Sequence, residues 1–154
     1  MKIKIYSREA LEELSKAPFA SNTSIISIRD TGDIPINLIN KPNHILQLEF
    51  DDVSFNEHDK SDYPGFPKAF DYETAKSIVD FVYKYKDETD ILICQCEYGE
   101  SRSSAVAAAI LEKFYGSGKV ISSDERYCPN LYIYNILMKE FESRESQRNN
   151  RENI

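Results

Sequence analysis

The sequence predicts an α/β domain, a central and mostly parallel sheet flanked by helices. Three observations lead there. Short β-branched or alternating runs take turns with amphipathic helical segments along the chain. The run ILIC, residues 91–94, is apolar at every position, as a strand covered on both faces must be. The loop that follows it passes directly into a helix of small residues, and in parallel sheets such strand ends are where sites form.

The elements follow in order. Residues 2–6 (KIKIY) alternate as a strand, Ser7 is a good cap, and the next segment places Ala10, Leu11 and Leu14 at helical spacing. Residues 23–28 (TSIISI) form a β-branched strand, and RDTGDIP supplies turn chemistry. Residues 44–50 (HILQLEF) alternate and run into Asp51 and Asp52. Residues 53–70 hold two prolines, a glycine and several acids without any period, which marks either a functional loop or an element whose pattern is hidden, and the sequence does not say whether it closes over a ligand as a lid. Residues 72–85 are helical, with Ala75, Ile78, Val79 and Val82 on one face and Asp71 as cap. A helix over residues 103–115 is ended by Gly116 and Gly118. Pro129 is placed to open the last helix, because its missing donor is one the first turn does not use. One domain over residues 1–142 results, with a polar tail at 143–154 expected to fray.

Composition narrows the function. The 154 residues are 41% hydrophobic and 29% charged, as in a soluble globular domain. A net charge of −7 leaves no basic stripe for a phosphate backbone, so nucleic acid is not expected as a partner. The charged N-terminus has no apolar signal region and no later segment suits a membrane span, so a cytoplasmic protein without membrane partners is expected. Three cysteines, Cys94, Cys96 and Cys128, fit neither a disulfide framework nor a structural zinc, and no metal or cofactor is expected. Cys94 is expected to face the core, and Cys128 to pack rather than react.

The chemistry gathers in Cys96-Glu97-Tyr98-Gly99-Glu100-Ser101-Arg102-Ser103. A buried strand, a short loop and a helix start turn successive backbone amides inward as an anion site. Gly99 allows the close approach or positive φ that the loop needs. Arg102 can fork two donors onto an oxyanion, Cys96 lies at the base of the positive field as a nucleophile, and Ser103 can donate to its thiolate.

These residues resemble the C-x5-R-[ST] phosphate loop of cysteine-dependent protein tyrosine phosphatases, most closely the compact dual-specificity branch of bacterial type. SIISIRD, LQLEFDDV and CPNLYIYNIL resemble that family's layout as well, so the likeness spans most of residues 1–142. It implies the phosphatase fold, Cys96 as the nucleophile that forms a phosphocysteine, Arg102 as the phosphate and transition-state ligand, and Ser103 as the aid to thiolate release. An upstream aspartate would act as general acid. Asp52 is the first choice because LEFDDV resembles the family's acid-loop entry, with Asp51, Asp59 and Asp62 as alternatives. The implied substrate is a phosphotyrosine-like protein or a small phosphomonoester. Glu97 and Glu100, with no lysine in the loop, disfavour highly charged ligands.

One position departs from the family. Gln95 stands where histidine usually precedes the nucleophile, and it carries no charge. It motivates an alternative, a phosphate-binding pseudophosphatase with weak turnover. A rhodanese-like sulfurtransferase is a more distant alternative, since that family's loop is usually shorter. His44 is expected to be structural. His58 is a substitute proton donor, Tyr63, Phe66 and Tyr98 are aromatic candidates for a phenyl slot, and Asn130 is a tie behind the loop.

Overall fold

The computed structural model describes residues 1–53 and 68–152. Its strands are β1 (Lys2–Ser7), β2 (Thr23–Arg29), β3 (His44–Glu49) and β4 (Ile91–Cys96). Its helices are α1 (Arg8–Leu14), α2 (Tyr72–Tyr85), α3 (Arg102–Tyr115), α4 (Lys119–Ser122) and α5 (Leu131–Glu152). All strands pair in parallel, in the order β1-β4-β2-β3, which makes the apolar β4 an interior strand as predicted.

The period-two alternation of the strands divides the core between two faces. Ile26, Ile28, Leu92, Cys94 and Cys96 pack with α2, α3 and α5 in the larger cluster. Ile25 and Ile93 face the other way, toward Leu11 of α1 and Ile36 and Leu38 of the β2–β3 connection. Helix α3 is buried from Arg102 to Ile110. Its run of alanines lets the helix lie close to the sheet, and Gly116 ends it with φ of 63° in the left-handed region. Asp71 caps α2 by accepting from the Thr74 amide, and Ser7 caps α1 by accepting from Ala10.

Two expectations are corrected. Pro129 does not open the last helix: α5 starts at Leu131, and Asn130 caps it through Oδ1, which accepts from the Ile133 amide at 3.2 Å. Pro129 lies one residue before that cap. The polar end of the chain does not fray at residue 143 but continues α5 to Glu152. Arg144 pairs there with Asp80, Glu145 pairs with Lys113, and the Arg148 guanidinium stacks 4.9 Å from the Tyr83 ring centre. These pairs hold the polar end of the helix, beyond the buried stripe of Ile133, Ile136, Leu137 and Phe141. The helix α4, with no periodic signal, is additional. No helix among the described residues is long and apolar enough to cross a membrane.

Candidate active site

Cys96 closes β4 and is buried. Its Sγ lies 3.1 Å from Ser103 Oγ, so the hydroxyl of the first turn of α3 faces the thiol across the loop. Cys94, two residues earlier on the same face, is fully buried, and desolvation pushes its thiol pKa well up. It is a core residue, as expected.

The loop between β4 and α3 is pinned from both sides. Glu97 O accepts from the Arg8 amide at 3.1 Å, which ties the loop to the start of α1. Gly99 turns with φ of 68°, and a Cβ built there would lie 2.7 Å from Ser7 N. Only glycine fits this contact without displacing backbone. On the other side, Glu100 O accepts from the Cys128 amide at 2.9 Å and Ser101 O accepts from the Asn130 amide at 3.2 Å. Cys128 itself is exposed, which corrects the expectation that it packs. Its backbone, rather than its thiol, serves the loop. Tyr98 is exposed at the loop's outer edge.

Arg102 opens α3 and is 4% exposed. Its Nη1 donates to Phe50 O at 2.8 Å and pairs with Asp30 Oδ1 at 2.7 Å. Among the described residues these contacts use Nη1 alone, so Nε and Nη2 remain as the edge that can grip two oxygens. Asp30 was missed by the sequence reading. The signal was its position directly after β2, which the parallel order places beside the end of β4.

The two candidate aspartates of the acid loop separate cleanly. The Asp51 carboxylate accepts from the Thr31 amide at 3.0 Å, the Thr31 hydroxyl at 2.7 Å and the Lys68 amide at 2.6 Å. Burial alone would raise its pKa, but these donors and the charge of Arg102 outweigh it and hold the carboxyl below its ordinary value. Asp52 turns instead to the loop between β4 and α3. Its Oδ1 accepts from Ser101 Oγ at 2.9 Å and from Asn130 Nδ2 at 2.8 Å. Asp59, Asp62, His58, Tyr63 and Phe66 lie outside the described residues. His44 stacks on Tyr85, with ring centres 3.7 Å apart, and pairs with Glu88 away from the loop.

Gln95 points to the face opposite Cys96. It is buried, and its Oε1 accepts from the Ser27 hydroxyl on the neighbouring strand, in register with it. The residue is therefore a satisfied polar group joining β2 to β4. One acidic group lies beside the loop, where carboxylate oxygens of Asp30, Asp33 and Glu97 fall within 4.8 Å of one another. Asp30 is paired with Arg102 and Asp33 with Arg8, so cationic side chains already offset part of that charge.

A four-stranded parallel sheet flanked by helices in this order has counterparts in fold among solved structures. Human DUSP28 is 17% identical, with 94% of each chain covered and a TM-score of 0.57. The human tyrosine phosphatase-like serine/threonine/tyrosine-interacting protein is 18% identical, covering 92% of this chain and 91% of its own, with a TM-score of 0.58. The fold is that of the dual-specificity phosphatases. Tk-PTP in its active form, another solved phosphatase, aligns over 92% of both chains at 13% identity and a TM-score of 0.54. No family model matches the sequence, and no curated protein matches it. Against the dual-specificity phosphatase fold, the loop at residues 96–103 occupies a strand end where α/β sheets place ligands.

Proposed function

We propose that the protein is a metal-independent phosphatase that hydrolyses phosphate monoesters through a phosphocysteine. The observation that carries this reading is the pairing of Cys96 Sγ with Ser103 Oγ at 3.1 Å, with Arg102 next to Ser103 at the start of the same helix. The Cys96 thiolate attacks phosphorus in line, the P–S bond forms, and the P–O bond to the leaving group breaks. Loop amides and Arg102 Nε and Nη2 take the charge of the equatorial oxygens. Asp52 gives its proton to the departing oxygen, then accepts one from the water that cleaves the phosphocysteine. Ser103 donates to the thiolate as it is released.

Asp52 is preferred to Asp51 because its carboxyl is held against the phosphate loop, whereas that of Asp51 is committed to Thr31 and Lys68. The acidic surroundings favour a lightly charged substrate, a phosphotyrosine-like residue or a small aryl phosphate. A weakly catalytic phosphate-binding module is the second reading. It is favoured by the uncharged Gln95, whose acceptor is spent on Ser27, and by the likeness to a protein described as phosphatase-like.

The test is turnover of p-nitrophenyl phosphate in the presence of EDTA by the wild type, Cys96→Ser and Asp52→Asn. Turnover abolished by Cys96→Ser and lowered about 100-fold by Asp52→Asn is expected. Wild-type protein that binds vanadate but turns nothing over is instead the binding module. Turnover that survives Cys96→Ser removes the phosphocysteine route.

A further inference from the structure

Asn130 takes no part in the chemistry just proposed, yet its side chain joins the acid loop to a helix end beside the phosphate loop. We propose that Asn130 is the positioning residue for Asp52 and fixes which carboxyl oxygen delivers the proton. The inference rests on the reading of Asp52 as the general acid.

Its geometry leaves the amide no alternative orientation. Asn130 Oδ1 accepts from the Ile133 amide at 3.2 Å as the cap of α5, so Nδ2 must face the other way. There Nδ2 donates to Asp52 Oδ1 at 2.8 Å and to Val53 O at 3.2 Å, which occupies both of its hydrogens. Ser101 Oγ donates to the same Asp52 Oδ1 at 2.9 Å. An oxygen that already accepts two donors is a poor seat for a proton, since the acid hydrogen would point at theirs. Among the described residues, Oδ2 has no such donor. The proton therefore sits on Oδ2, with Oδ1 as the fixed pivot.

The backbone of the same segment strengthens the link. The Asn130 amide donates to Ser101 O, and the Cys128 amide donates to Glu100 O. Phosphate loop and acid loop are thus both referenced to the start of α5, and Asn130 sets the distance between them. Asn130 was expected to tie the loop from behind, but a separation of 78 residues hid that Asp52 is its partner.

The variant that separates the roles is Asn130→Ser, because serine caps a helix as well as asparagine does but cannot reach Asp52 and Val53. The full chain is assayed for kcat/KM on p-nitrophenyl phosphate, whose more acidic leaving group needs less protonation, and on phenyl phosphate, whose leaving group needs more. We expect Asn130→Ser to keep the wild-type Tm and to lose about ten-fold more on phenyl phosphate than on p-nitrophenyl phosphate. In the Asp52→Asn background, Asn130→Ser should add no further selectivity. Equal losses on both substrates, or an undiminished selective loss without Asp52, overturn the inference. If Asp52→Asn is itself selective while Asn130→Ser is not, only the positioning role falls. If Asp52→Asn treats both substrates alike, the acid assignment falls and takes the positioning role with it.

Discussion

At Gly99 the loop between β4 and α3 presses against the end of β1, with a built Cβ only 2.7 Å from Ser7 N and 2.9 Å from the Tyr6 carbonyl carbon. Backbone lies on the far side of that contact, so no side-chain rotation relieves it. The left-handed φ of 68° adds its own strain for any residue with a Cβ. Gly99→Ala should therefore cost about 2 kcal/mol or more of stability, a fall of about 5 °C in Tm for a chain of this size. It should also lower the affinity for vanadate, because the loop amides shift out of register with the anion. Thermal unfolding with and without vanadate measures both. A variant as stable and as vanadate-stabilised as the wild type contradicts the claim that β1 shapes the loop. Arg102 is held in a similar way, its Nη1 spent on Phe50 O and Asp30 so that its other edge is presented.

Between elements, the ends of β2 and β3 are closed by one carboxylate. Asp51 follows β3 and reaches back to Thr31, just past β2, and across to the Lys68 amide, while its own amide donates to Lys68 O at 2.7 Å. Its pKa is depressed in the folded chain, so the unfolded chain binds its proton more readily. The stability it contributes is present above the unfolded value of about 3.9 and is lost as pH falls through the lower folded value. Wild-type Tm should then drop more steeply between about pH 5 and pH 3 than that of Asp51→Asn. The variant itself should be less stable at neutral pH. Parallel Tm curves across that range would remove Asp51 from the clasp. The clasp also shows where sequence reading stopped. Strands β1 to β4 and helices α2 and α3 were legible because period, β-branching and the caps Ser7, Asp71 and Gly116 agreed. The polar end of α5 was not, since Arg144, Glu145 and Arg148 find their partners on α2 and α3 only after folding. At the candidate site, Cys96, Arg102 and Ser103 share one short motif and Asp52 could be named from LEFDDV, whereas Asp30 meets the loop only through the sheet order.

Across the whole molecule, a net charge of −7 surrounds the loop proposed to bind an anion. The fixed positive field there comes from backbone amides and one guanidinium, half of whose edge is taken by Asp30. Beyond that short range the field turns negative, with Asp30, Asp33 and Glu97 grouped beside the loop and Glu100 exposed on it. Close contacts in the loop are poorly screened, whereas approach over distances beyond about 10 Å is screened by ordinary salt. Salt should therefore act on the approach and not on the grip. For phosphotyrosine peptides flanked by acidic residues, kcat/KM should rise about two- to five-fold between about 30 mM and 300 mM salt, as repulsion is screened. For peptides flanked by neutral residues it should change little, and for basic flanks it should fall. The ranking at low salt should be basic, then neutral, then acidic. A fall with salt for the acidic peptides would mean that a cationic track guides substrate to the loop, and the charge argument for a lightly charged substrate would fail with it.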